Sequence, residues 1–300
     1  MKTAPLAFGL LLGAALTAFG VATAKPKPKP PAPPPALAAP TEADMRTPDP
    51  QDLLIIETNK GRVLVELNEV AAPAAVARVR ELARQGVYNG RSFFRVLDNF
   101  MDQTGDPLDS GVGQSSLPNL PPEFTFKRGQ DTPFTIVDRQ GGLEEGMVGS
   151  LPVISQTMDL GLLTADHKVQ AWGAFCAGVL GIARSDDPAS GNSQFFLMRT
   201  NANSADHATH ALDKIYTPFG RVIAGQDVVD AIKIGEPVEA PQDKMLSVKV
   251  VADLPADQRP KVRIVDAKSA WSKAEVAREQ ALAGPDFTVC DVKVAVEVTP

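Results

Sequence analysis

SFFRVLDNFMDQTGDP, residues 92–107, sets an arginine inside an apolar run. Phe93, Phe94, Val96 and Leu97 surround Arg95, and Phe100 and Met101 follow. A guanidinium stays charged and is costly to bury without partners. The run is β-rich, and alternate side chains of a strand share a face. Arg95 then shares a face with Phe93 and Leu97, and Met101 shares one with Gln103. In SQFFLMR, residues 193–199, Gln194 and Phe196 share one face while Phe195 points to the other. If these faces coincide, they form a shallow apolar pocket with Arg and Gln on its wall. The alternative is plain core, with Arg95 reaching to solvent.

Outward from this stretch the chain reads as short strands. LLIIET and RVLVELN flank Asn59-Lys60-Gly61, a turn signal. APAAVARVRELARQG, from Ala72, has helical spacing and ends at Gly86. Residues 108–170 are punctuated by Gly and Pro without a long period, and read as a long loop region or an insertion. Strand-like runs resume with AFCAGVLGIA, TPFGRVIAG and KMLSVKVVAD, and QDVVDAIK reads as a short helix. Many short strands and few helices predict a mainly β fold, an antiparallel barrel or sandwich. The tail adds a strand–helix–strand unit. KVRIVDA is its first strand, and SKAEVAREQALAG its helix, with a capping box at Ser272 and Glu275 and a closing Gly284. VCDVKVAVEV is its second strand, with Val292, Val294, Val296 and Val298 on one face.

The N-terminus looks processed. Lys2 is a minimal positive region, Leu6 to Val21 an apolar one, and Ala22-Thr23-Ala24 a small-x-small cleavage site before Lys25. Residues 1–24 therefore read as a signal peptide and the protein as periplasmic. The alternative is an uncleaved anchor in the membrane, since the apolar run nearly spans a bilayer. Residues 25–50 are Pro-rich and extended, a linker that is either a semi-rigid basic spacer or a solvated tether. Two cysteines, Cys176 and Cys290, either bridge in an oxidising compartment or stay apart as buried thiols.

A net charge of -6 gives no nucleic-acid footprint. The chain has no Gly-x-Ser-x-Gly elbow, no His-Glu-x-x-His, no Cys-x-x-Cys and no phosphate loop. Asp206, His207 and His210 lie close together, but solvated loop histidines fit them better than a metal site. Ser204 beside His207 does not make a triad, which requires geometry rather than proximity. No metal and no cofactor are expected.

YNGRSFFRVLDNFMDQTGDP (88–107), GIARSDDPASGNSQFFLMR (181–199) and LDKIYTPFGRVIAGQDVVDAI (212–232), in this order, resemble the cyclophilin-type peptidyl-prolyl cis/trans isomerases. The resemblance runs from about residue 53 to 252, interrupted near 130–170. It implies a closed eight-stranded antiparallel barrel capped by two helices over residues 51–255, with residues 256–300 as an added extension. It implies that Arg95 is catalytic and that Gln103 supports it. It further implies that Phe100, Met101, Phe196 and Leu212 hold the substrate proline ring, and that Ala183 and Gln194 line the adjacent groove. Tyr216 stands where many members have histidine, and is expected to serve similarly. Ala211 replaces the aromatic residue that commonly precedes Leu212, which implies weak cyclosporin binding. The implied activity is isomerisation of X–Pro bonds in proline-containing peptides and in unfolded or folding proteins, by a monomer. The alternative is a proline-recognising periplasmic chaperone or scaffold with little turnover.

Overall fold

A computed structural model describes residues 33–201 and 211–299. The signal peptide, the first part of the Pro-rich linker, and Ser204, Asp206, His207 and His210 lie outside the described residues. Among the described residues, no helix is long and apolar enough to cross a membrane.

Eight antiparallel strands make the main sheet. Their spatial order is Met245–Val250, Leu53–Thr58, Gly61–Leu67, Thr217–Ala224, Val179–Ile182, Phe195–Met198, Met101–Thr104 and Arg95–Leu97. The first hairpin turns at Asn59-Lys60, where the Thr58 hydroxyl accepts from the amides of Lys60 and Gly61. Helix α1 spans Pro73–Arg84, with proline in its first turn, where the missing N–H costs nothing. Its free amides at Ala74 and Ala75 are capped from afar by the Glu123 carboxylate, at 2.9 Å each. The α1 stripe of Ala75, Val76, Val79 and Leu82 packs with Leu54, Val65, Leu180, Phe195 and Phe219 in one core. Helix α2, Gln226–Asp230, adds Val229 to the same core.

The sheet is curled but not closed, which corrects the expected barrel. No ladder joins its two outer strands; isolated bridges at Ser92–Lys244 and Val96–Gly235 span the seam. The segment that runs past this edge, residues 235–243, contains Pro237 and Pro241, which have no N–H to give a ladder.

Residues 126–173 are not a loop. They form a second antiparallel sheet of five strands, ordered Phe126–Arg128, Val169–Gly173, Leu151–Gln156, Leu143–Val148 and Phe134–Gln140. A buried ion pair hid it from the apolar pattern: Arg128 bonds Glu144 at 2.6 Å, both nearly without solvent contact. Met147, Val153, Ala171 and Trp172, drawn from both of its faces, join Met101, Phe196 and Met198 of the main sheet in a second core.

The tail folds back over the outside. Lys261–Val265 pairs with Met45–Arg46 and Val296–Thr299 in a three-stranded sheet. Val262 and Ile264 cover Leu53, Ile55, Leu64 and Ile223. Helix α3, Ala270–Ala283, starts earlier than its sequence suggests. Ser269, not Ser272, is the cap, accepting from the Ser272 amide at 3.0 Å. Asp44 accepts from the Trp271 amide and Ala38 from its indole, which holds the first turn in place. Only Val296–Thr299 of the expected last strand is extended. Val289–Asp291 makes a 3-10 turn, because the Val289 amide is tied to Glu145 and Cys290 is bridged to Cys176.

Candidate functional site

Strand register assembles the site. Arg95 lies opposite Gln103, Gln103 opposite Phe196, and Phe196 opposite Gly181, one row across four strands. Alternation sends Val96, Phe195 and Leu197 into the α1 core and turns Arg95, Gln103 and Phe196 to the other face. Glycine at 181 makes room for the aromatic ring: a Cβ there would come 2.4 Å from Phe196 Cζ and 2.7 Å from Phe175 Cε1.

Nine side chains enclose a hollow of about 110 Å³: Arg95, Phe100, Met101, Gln103, Ala183, Arg184, Phe196, Leu212 and Tyr216. Eight of the nine residues singled out in the sequence are therefore brought together. The ninth, Gln194, lines an adjoining hollow of about 270 Å³ with Gly111, Val112, Gly113, Ser185 and Asn192. The two hollows share Gln103, Ala183 and Arg184 as a common wall.

The floor is apolar. Met101 and Phe196 are buried, and Tyr216 stands edge-on to Phe196 with ring centroids 5.5 Å apart. The rim is polar and ordered by a relay of amides. Arg95 Nη1 donates to Gln103 Oε1 at 3.4 Å, and Gln103 Nε2 donates to Gln194 Oε1 at 3.0 Å. Gln194 Nε2 in turn donates to the carbonyls of Gly113 at 2.9 Å and Gly111 at 3.3 Å. Those carbonyls belong to a loop organised by Asp106. Its carboxylate accepts from the amides of Leu108, Ser110, Gly111 and Gly113 and from the Ser110 hydroxyl. Burial pushes this carboxyl up, but the amides of Leu108, Gly113 and Ser110 outweigh it and hold it below the usual carboxylate range.

Beneath the row sits a buried pair. Arg199 Nη1 donates to Asp102 at 2.9 Å and also to the carbonyl of Val229. Burial pushes the Asp102 carboxyl up to about 7 against the pull of Arg199.

Sequence reasoning missed three neighbours. Arg184 lies in a quoted motif, and its guanidinium sits 4.6 Å over the Tyr216 ring, with Nε donating to the Ile215 carbonyl. Phe175 stacks behind Phe196. Glu236, 141 residues beyond Arg95, accepts from Arg95 Nε at 2.6 Å, and no local pattern marks it.

The arrangement sets the Arg95 guanidinium beside a small apolar hollow, a combination suited to gripping a ring and donating to a polar atom next to it. Comparisons with known proteins agree. The family model "Cyclophilin type peptidyl-prolyl cis-trans isomerase/CLD" matches residues 53–252. A probable peptidyl-prolyl cis-trans isomerase of Brucella suis is 30% identical over 220 residues, covering 68% of this chain and 85% of that protein. A peptidyl-prolyl cis-trans isomerase of Streptomyces antibioticus is 28% identical over 179 residues, covering 59% of this chain and 81% of its own. Among solved structures, the cyclophilin AquaCyp293 from Hirschia baltica superposes with a TM-score of 0.76 at 32% identity, covering 85% of this chain and 94% of that one.

Proposed function

This chain belongs to the cyclophilin-type peptidyl-prolyl cis-trans isomerase family, and from that premise we propose how the hollow beside Arg95 turns an X–Pro bond. It is a peptidyl-prolyl cis-trans isomerase. The observation that carries the residue assignment is the meeting of the Arg95 guanidinium with an apolar hollow formed by Phe100, Met101, Phe196, Leu212 and Tyr216.

Resonance holds a peptide bond planar behind a barrier of ~18–20 kcal/mol. For X–Pro both isomers are accessible, but uncatalysed exchange takes tens to hundreds of seconds. In the twisted transition state resonance is lost and the prolyl nitrogen regains its lone pair. Arg95 donates to that nitrogen, or to the turning carbonyl, more strongly than in the planar ground state. That differential binding lowers the barrier. The apolar hollow grips the proline ring while the preceding residue rotates. Gln103 holds Arg95, and Gln194 and Ala183 line the path of the flanking peptide. No nucleophile and no proton shuttle enter.

Exchange spectroscopy on an X–Pro peptide tests this. The parent should accelerate exchange, and Arg95→Ala should lose ~10²–10³ in rate with peptide affinity nearly intact. An Arg95→Ala variant as fast as the parent would remove Arg95 from the mechanism. Binding by the parent without any acceleration would make it a chaperone or scaffold.

We further propose that the isomerase unit, residues 51–255, works on folding proteins in the periplasm, after cleavage before Lys25. The Lys2, Leu6 to Val21 and Ala22-Thr23-Ala24 pattern supports export, and the Cys176–Cys290 bridge suits an oxidising compartment. Intact mass of the native protein should show Lys25 at the N-terminus; retention of Met1 would reject cleavage.

A further inference from the structure

We propose that Glu236 is a positioning residue for the isomerase reaction, holding the Nε edge of Arg95 so that the rest of the guanidinium is presented to the substrate. The inference rests on the reading of Arg95 as the catalytic donor.

The geometry is built rather than incidental. Glu236 Oε1 lies 2.6 Å from Arg95 Nε. The segment carrying Glu236 is fastened to the strand carrying Arg95 on both sides of the contact. Gly235 and Val96 exchange two backbone hydrogen bonds, at 2.8 and 2.9 Å, and the Val238 amide donates to the Phe94 carbonyl at 2.9 Å. Residues 94 and 96 bracket Arg95, and residues 235 and 238 bracket Glu236. The turn between them needs glycine at 235, where a Cβ would lie 2.7 Å from Val238 Cα and 2.9 Å from the Pro237 carbonyl oxygen. Behind it, Asp243 accepts from the Lys233 amide at 2.8 Å and Lys233 Nζ donates to the Glu239 carbonyl at 2.7 Å, which ties the two ends of the segment together.

Two acceptors fix a planar fork better than one. Gln103 takes Nη1, but at 3.4 Å, a long contact. With Gln103 alone, a side chain that is 37% exposed would be free to swing toward water. Glu236 on Nε sets the second edge and so defines the plane. Among the described residues, Nη2 has no acceptor. Its two N–H groups, with the second N–H of Nη1, are the donors left for the substrate.

A partly exposed ion pair adds little to stability. A displaced donor, by contrast, costs rate steeply. The signature of positioning is therefore a fall in kcat without a fall in Tm. Two roles of the carboxylate pull in opposite directions: fixing the guanidinium speeds the reaction, whereas neutralising its charge slows it. Glu236→Gln keeps an oxygen acceptor and drops the charge, and Glu236→Ala drops both.

The experiment measures kcat and KM on an X–Pro peptide for the parent, Glu236→Gln, Glu236→Ala and Arg95→Ala, with Tm and the Arg95 Nε–H resonance of each Glu236 variant. Glu236→Ala should lose roughly tenfold in kcat, with KM and Tm near the parent and the Nε–H no longer protected from solvent exchange. Glu236→Gln should stay within about threefold of the parent and keep that protection, since one acceptor oxygen remains. A Glu236→Ala variant with parental kcat, beside an inactive Arg95→Ala, overturns the positioning role and leaves Arg95 in place. Faster turnover in both Glu236 variants overturns it too, in favour of charge damping. An active Arg95→Ala overturns the reading beneath it.

Discussion

The ring of Phe175 stacks on that of Phe196, with centroids 5.7 Å apart and planes 27° apart. Phe175 lies two residues beyond the Val169–Gly173 strand of the five-stranded sheet, and its amide donates to Asp213 Oδ1 at 3.2 Å. The added sheet thus supplies the wall behind the hollow that receives the proline ring. An aromatic pair of this kind contributes ~0.5–1.5 kcal/mol beyond its buried area. Phe175→Leu keeps most of the apolar volume and removes the stacking. It should weaken peptide affinity by roughly 2–10-fold and leave kcat at saturation close to the parent. Saturation curves on the X–Pro peptide check it, and an unchanged KM would make the added sheet irrelevant to the pocket.

Cys176 comes next in the chain and is bridged to Cys290, 114 residues on, with the Cα atoms 5.2 Å apart. The bridge staples the tail to the sheet that backs the pocket. Closing a loop of this length is worth up to ~4–5 kcal/mol in the chain-entropy model. The double variant Cys176→Ala/Cys290→Ala should unfold at a lower denaturant midpoint by a corresponding amount, with the slope of the transition showing whether the unfolded state has changed too. A non-reducing peptide map should recover the two cysteines as one linked pair; two free thiols would remove the staple.

Asp106 gives the loop beside Gln194 a pH dependence of known sign. Its carboxyl is held below its ordinary value in the folded chain, so the folded state favours the ionised form. The stability it contributes is present above the unfolded pKa near 3.8 and is lost as pH falls through the lower folded value. Asp106→Asn turns an amide NH₂ toward donors now bonded to an oxygen, at a cost of about 2–4 kcal/mol. The gap in stability between parent and variant should be widest above about pH 5 and shrink below about pH 4. Melting curves across that range test it. A gap that widens toward acid would contradict the sign.

The site was more legible than the scaffold around it. Period-two alternation puts Arg95, Gln103 and Phe196 on one face, because each lies in a strand whose other face is plain core, while Gln194 precedes its strand and lines the adjoining hollow. The five-stranded sheet escaped the same reasoning. Glu144 is buried on one face of that sheet by Arg128 and Glu145 on the other beneath the tail, so the apolar rhythm breaks where the strands are. Ser269 and Ser272 both look like caps, and contacts with Asp44 and Ala38, over two hundred residues away in sequence, decide between them. The open seam involves Pro237 and Pro241, far in sequence from the edge strand they run past. Glu236 is invisible for the same reason: its pairing with Arg95 exists only once residues 94–96 and 235–238 lie side by side.

Ala211 is exposed and directly precedes Leu212, whose side chain lines the hollow. An aromatic ring at 211 would extend the apolar wall outward, where a large cyclic peptide has to lie once its own side chain fills the hollow. Alanine leaves that stretch of wall missing. A ring making such a contact is worth on the order of 1 kcal/mol or more by burial. Cyclosporin should therefore bind the parent weakly, and Ala211→Trp should bind it several-fold tighter. The same variant should turn over a short X–Pro peptide at close to the parental rate, because the short substrate does not reach position 211. Calorimetric titration with cyclosporin, paired with the exchange assay, separates the two effects. Tight binding by the parent would show that the rest of the groove supplies the grip. A loss of peptide turnover in Ala211→Trp would show that residue 211 sits closer to the reacting bond than its exposure implies.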